Sequence, residues 1–256
     1  MTARVTSWRF ANRQNCHLFC QPIHVRQHMG RGSGWMGLLK GAIGLPVLLF
    51  LVGCEQALFW GAKNDVMPAV DVALAAGANV NAQDEFGFTA LHWAIKEGHT
   101  GVAKTLIAKG ANPNARNQKA ATPLHLAALF GNLELVDLLL TKGAGLSDRS
   151  EDQWTALHFA VSRDYSAVAE RLLSKGLDVN AKTNLGRTAL HIAAEGDKAE
   201  CITILIKYGA SVTEVDQNGQ TPAAIAVQSG KSNAARLLKV LPNRSMQSDR
   251  PQAAGG

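Results

Sequence analysis

A step of 33 residues runs through most of this chain and constrains its fold more than any other feature. Thr89, Thr122, Thr155, Thr188 and Thr221 keep that interval, as do Leu91, Leu124, Leu157 and Leu190, and as do His92, His125, His158 and His191. Gly77, Gly110, Gly143, Gly176 and Gly209 repeat the same step in a second register. A unit this short has room for two brief helices and cannot bury both apolar faces alone. Neighbouring units must stack, which gives a quasi-one-dimensional solenoid rather than one closed core.

Each threonine stands just before an apolar-periodic run, where its hydroxyl can cap the first free donors of a helix, and Pro123 and Pro222 sit at the first helical position, where a missing N–H is harmless. In the unit that opens at Thr89 the first helix ends near Gly98. A second runs through Val102, Leu106 and Ile107, and Gly110 stops it in the left-handed conformation. Segments such as Ala111-Asn-Pro-Asn-Ala-Arg-Asn117 are turn-rich and carry the chain to the next threonine. The motifs Thr-Ala-Leu-His-Trp-Ala, Thr-Pro-Leu-His-Leu-Ala, Thr-Ala-Leu-His-Phe-Ala and Thr-Ala-Leu-His-Ile-Ala resemble the ankyrin repeat. That resemblance implies an all-α solenoid of stacked helix-turn-helix units with hairpin loops. Full repeats are expected at 84–116, 117–149, 150–182 and 183–215, with an N-terminal capping repeat at 54–83 and a C-terminal one at 216–241. Terminal units should be atypical. Residues 57–83 read as the second half of a repeat without the Thr-x-Leu-His start, Ala224 replaces the last histidine, and the polar tail 242–256 has nothing to pack and reads as disordered.

The charge is just as unevenly placed. The formal net charge of +6 lies wholly within residues 1–53, which hold Arg4, Arg9, Arg13, Arg26, Arg31 and Lys40 and no acid; the remainder carries 20 basic and 20 acidic residues. A basic pI therefore gives no reason to expect nucleic acid as a partner. After Lys40 come thirteen uncharged residues, Gly41 to Gly53, too short to span a bilayer and right for the apolar region of an export signal. Leu51-Val52-Gly53-Cys54 resembles the bacterial lipoprotein lipobox, which implies cleavage before Cys54, lipidation of that thiol and a mature chain of about 203 residues. Glu55 after the cysteine resembles the outer-membrane sorting pattern, so the expected place is the periplasmic side of the outer membrane. A start at Met29 or Met36 would shorten the forty-residue basic region to an ordinary one. Cys16, Cys20, His24 and His28 have metal-like spacing, but Pro22 interrupts the helix that would align them. The mature chain would keep one further thiol, Cys201, read as a packing residue.

Four histidines at a fixed step suggest a metal until distances are compared. Stacked helices lie about 8–10 Å apart, whereas each nitrogen must be about 2.1 Å from a shared zinc. The family resemblance instead implies that His92, His125, His158 and His191, with their threonines, are structural and that each imidazole bonds the loop of a neighbouring unit. The sequence holds no Gly-x-Ser-x-Gly, no Gly-x-x-x-x-Gly-Lys and no His-Glu-x-x-His. The reading is a non-catalytic scaffold that needs no cofactor, metal or small-molecule substrate and has a protein as its partner. In ankyrin proteins a partner lies on the hairpin tips and the exposed flank of the inner helices. Carried over, those positions include Phe86, Phe88, Phe130, Trp154, Arg163, Leu185 and Arg187, residue types common in binding hot spots. Trp93 reads as core. Gly87, Gly186 and Gly219 give way to Ala120 and Gln153, so those two tips are expected to bend differently. The biological task stays open: two versions resemble known uses of exported ankyrin proteins, immunity against a periplasmic toxin and support of a periplasmic enzyme such as a catalase, and a cytoplasmic ankyrin regulator would require that Cys54 not be processed.

Overall fold

The computed structural model describes residues 53–240; the leader with its four metal-like side chains and alternative starts, and the tail from 241, lie outside them. Twelve helices and no strand occur among the described residues. They form six pairs: α1 (Cys54–Lys63) with α2 (Met67–Ala75), α3 (Ala90–Lys96) with α4 (Thr100–Ala108), α5 (Pro123–Leu129) with α6 (Leu133–Thr141), α7 (Ala156–Ser162) with α8 (Ser166–Ser174), α9 (Ala189–Glu195) with α10 (Ala199–Lys207), and α11 (Pro222–Gln228) with α12 (Ser232–Val240). Inner helices stack on inner helices and outer on outer.

The repeating leucines build the core between these layers. Leu58, Leu91, Leu124, Leu157 and Leu190 project from the inner helices, and Leu106, Leu139, Leu172, Leu205 and Leu238 from the outer ones; all are buried. Each contributes about 2 kcal/mol by leaving water. The N-terminal unit departs from expectation, because it holds a complete helix pair rather than the second half of one. Gln56 stands in the threonine register and Phe59 in the histidine register, so α1 lacks the cap that stops the other inner helices and runs back a further turn to Cys54.

Polar bonds recur between units at the same step. Asn81 donates from Nδ2 to Gly110 O (3.3 Å) and accepts at Oδ1 from Asn112 N–H (2.7 Å), and Asn114 treats Gly143 O (2.9 Å) and Gly145 N–H (2.8 Å) alike. Asn180 does the same with Gly209 O (3.4 Å) and Ser211 N–H (2.8 Å). Gln83, Arg116 and Arg149 each donate to the backbone carbonyl of the residue 33 positions on. On the outer helices Lys104 pairs with Glu134, Arg171 with Asp137, and Lys207 with Glu170. These exposed pairs fix register more than they add stability.

Candidate interaction site

Four of the six inner helices begin with the same device, which sets the shape of the concave face. Thr89, Thr122, Thr155 and Thr188 each take part in a reciprocal capping box whose fourth residue is histidine instead of the usual Glu or Gln. The threonine N–H donates to histidine Nδ1 at 3.0–3.1 Å in every case. With Nδ1 accepting, the proton is on Nε2, which donates outward: His92 to Ala121 O (3.2 Å) and His191 to Gln220 O (3.1 Å) in the next unit, and His125 to Asp148 O (3.0 Å) in the loop that leads into it. His158 differs. The Arg187 and Ala181 carbonyls lie near its Nε2, but that atom is buried and makes no hydrogen bond. Desolvation pushes the His92 and His158 imidazoles down to about 4 and lowers His125 and His191 as well, so all four are neutral spacers.

Ahead of each box the chain forms a hairpin tip, closed by a feature that the sequence reading misses. Asp84, Asn117, Ser150, Thr183 and Asp216 open the five tips, and each accepts the N–H four residues on through its side chain. The run of Asp, Asn, Ser and Thr at the common step is the available signal. Ala120 and Gln153 do not bend their tips differently. Both adopt the left-handed φ (52° and 60°) of Gly87, Gly186 and Gly219 (73°, 70° and 72°). Successive tips are joined by backbone bonds, Gln118 N–H to Phe86 O, Glu151 to Lys119, Asn184 to Asp152 and Gln217 to Leu185, at 2.9–3.1 Å. This continuous ladder holds the two non-glycine tips in line.

The predicted contact residues do not form one strip. Phe86 and Leu185, 53% and 54% exposed, cap two tips at one edge of the face. Phe130, 41% exposed, and Arg163 end α5 and α7 at the opposite edge, a seven-residue helix away, or about 10 Å. Tyr165, absent from the sequence-based set, joins that second edge and packs its ring over Gly131.

Between the edges lies a floor of half-buried rings. Trp93 belongs to it rather than to the core: its Nε1 donates to Asp84 Oδ2 (2.8 Å), and the ammonium groups of Lys63 and Lys96 sit 4.7 and 4.3 Å from its ring. An indole with a polar N–H and two cations to satisfy stays at a wet surface. Phe88 leans on Trp93 (5.1 Å), and Trp154 leans on Phe159 (5.1 Å) in the same geometry two units further on. Ala121 and Leu126 hold these places in the unit between, so two aromatic pairs flank a shallow apolar trough. Arg187 is half-buried, and its guanidinium pairs with Glu195 across the face at 3.1 Å. Cys201 is buried with its thiol pushed up to about 12, chiefly by desolvation, and donates to Asp164 Oδ1 (3.4 Å).

The family model described as Ankyrin repeats (3 copies) matches residues 46–117, 109–183 and 178–245, which together cover all of the described residues. The protein belongs to the ankyrin repeat family. No curated protein matches this ankyrin chain. Ankyrin repeats generally mediate protein–protein interaction and are generally non-catalytic. Among the described residues no three His, Cys, Asp or Glu side chains are placed to hold a metal, and no helix is long and apolar enough to cross a membrane.

Proposed function

We propose that this ankyrin protein is exported, anchored by lipid on Cys54 to the periplasmic side of a bacterial membrane, and captures one protein in its concave groove. The observation that carries the capture reading is the groove itself, with Phe88–Trp93 and Trp154–Phe159 on either side of the Ala121–Leu126 trough and exposed Phe130, Arg163 and Leu185 on its rims. Rings and arginines in this arrangement suit a partner that inserts an apolar side chain between the pairs and meets Arg163 with an acceptor. The anchor reading rests on the lipobox-like Leu51-Val52-Gly53-Cys54 after an uncharged stretch. Several acyl chains on one cysteine hold permanently, at roughly 0.8 kcal/mol per buried methylene.

Affinity purification from membranes with mass spectrometry reports the processed N-terminus and the captured protein together. Phe130→Ser with Arg163→Glu should abolish capture at unchanged thermal stability, since both side chains are exposed. Retention of the captured protein by that double variant would sink the groove reading. A mature chain that does not begin at Cys54 would sink the anchor reading.

A further inference from the structure

We propose that the captured partner is acidic where it meets the N-terminal half of the groove: a carboxylate docks on Lys63 and Lys96 over Trp93, and an apolar side chain about six residues away seats against Trp154 and Phe159. This rests on the capture reading above and names the chemistry of its partner; it does not depend on the anchor.

The two aromatic pairs of the groove are alike in geometry and unlike in surroundings. Trp60, Trp93, Leu126, Phe159 and Ile192 share one register of the inner helices, Leu126 buried and the others half-buried, so the groove floor is uncharged over five units. Three residues on, nearly one helical turn, the register reads Lys63, Lys96, Leu129, Ser162 and Glu195. The Phe88–Trp93 pair thus has two cations beside it, and the Trp154–Phe159 pair has Leu129 and Ser162 in their places. A groove whose two ends differ in this way fixes which way a bound segment lies. Trp93 and Phe159 are two units apart, about 20 Å at the spacing of packed helices, which an extended segment covers in about six residues.

The cations are short of acceptors. The Lys63 ammonium sits 4.7 Å and the Lys96 ammonium 4.3 Å from the Trp93 centroid, so the two lie at most the sum of these distances, 9.0 Å, apart. The ring face attracts each cation, while each repels the other. Asp84 is beside the ring, but its Oδ1 accepts the Phe86 and Phe88 N–H groups and its Oδ2 accepts Trp93 Nε1–H. Glu97 pairs with Lys96 at 3.9 Å, and Asp65 lies beside His99. Lys63 makes no ion pair among the described residues. A partner carboxylate supplies charge-assisted acceptors to the two ammonium groups and relieves their repulsion. Acids at the opposite edge keep it there: Glu85, Glu151 and Asp152 stand on the tips with Lys119 between them.

The test pans random dodecapeptides displayed on phage against the full chain, then measures recovered sequences as labelled synthetic peptides by fluorescence anisotropy. Recovered peptides should carry Asp or Glu about six residues from Trp, Phe or Leu. Lys63→Gln with Lys96→Gln should weaken their binding about tenfold at a nearly unchanged melting temperature, since both lysines are exposed. Panning against Lys63→Glu with Lys96→Glu should select Lys or Arg in place of the acid. Acidic peptides that tolerate both lysine variants but are lost with Arg163→Glu put the carboxylate on the rim and overturn this proposal. Peptides without an acid that Phe130→Ser with Arg163→Glu no longer binds overturn it and leave capture standing. A library that returns no sequence above a bare surface overturns it as well, and peptides that every variant binds as tightly as the native chain end both readings.

Discussion

Each repeating histidine does two jobs with two nitrogens, and the consequences can be separated by mutation and by pH. Nδ1 finishes the cap of its own helix, while Nε2–H bonds a loop carbonyl at the junction with the next unit in three of the four cases. His158 has the cap without the outward bond. His92→Ala should therefore destabilise more than His158→Ala, by about 1 kcal/mol, the net worth of one hydrogen bond. Equal losses in paired urea titrations would contradict that division. Acid should act on all four together. In the unfolded chain these side chains titrate near 6.5, whereas in the fold His92 and His158 are depressed to about 4 and the other two are lowered. Depressed groups bind protons preferentially in the unfolded state, so stability is intact above pH 6.5 and drains away as pH falls toward 4. At pH 4 the loss is about 3 kcal/mol for each of His92 and His158. Melting temperatures from pH 8 to 4 should be flat and then fall; a rise on acidification would contradict the neutral state.

At the scale of the element, the tips show a local preference overruled by its neighbours. A left-handed conformation costs a non-glycine residue roughly 1–2 kcal/mol, yet Ala120 and Gln153 adopt it because the tip-to-tip ladder and the side-chain acceptors of Asn117 and Ser150 hold both sides of the turn. Ala120→Gly should raise stability by about 0.5–1 kcal/mol, read as a higher urea midpoint at unchanged slope. The reverse change, Gly87→Ala, should lower it, because a Cβ there would sit 2.8 Å from Gln118 N. These tips also show where the sequence is legible. Helix pairs, leucine layers and left-handed stops such as Gly110 follow from periodicity alone, since every unit repeats the same burial. The Ala120 and Gln153 loops defeat a sequence reading because a substitution is weighed locally there, whereas the constraint comes from bonds to residues 33 positions away. Trp93 misleads for a similar reason: an apolar residue following an inward histidine looks internal until Asp84, Lys63 and Lys96 are placed around it. Most groove residues are visible in the sequence, but the helix length that divides Phe86 and Leu185 from Phe130 and Arg163 is a property of the fold.

A solenoid is only as uniform as its junctions, and here they differ. In such a stack stability is close to a sum of unit and nearest-neighbour terms, so a weaker junction opens first. The asparagine clamp is present at Asn81, Asn114 and Asn180, but Ser147 occupies its register before the 150–182 unit. The junction on the far side of that unit lacks the His158 bond. The α7–α8 unit thus lacks the clamp on one flank and the His158 bond on the other, although its leucines Leu157 and Leu172 are as buried as any. Ser147→Asn should restore the missing clamp, donating to Gly176 O and accepting from Asp178 N–H as its counterparts do one unit to either side. Two bonds at a partly exposed site are worth about 1–2 kcal/mol together. Hydrogen exchange followed by mass spectrometry reads the result: in the native chain amides of α7 and α8 should exchange faster than those of α5 and α6, and the substitution should slow them. If α7 and α8 are already the slowest in the stack, the junctions are governed by leucine burial and the polar bonds only set register.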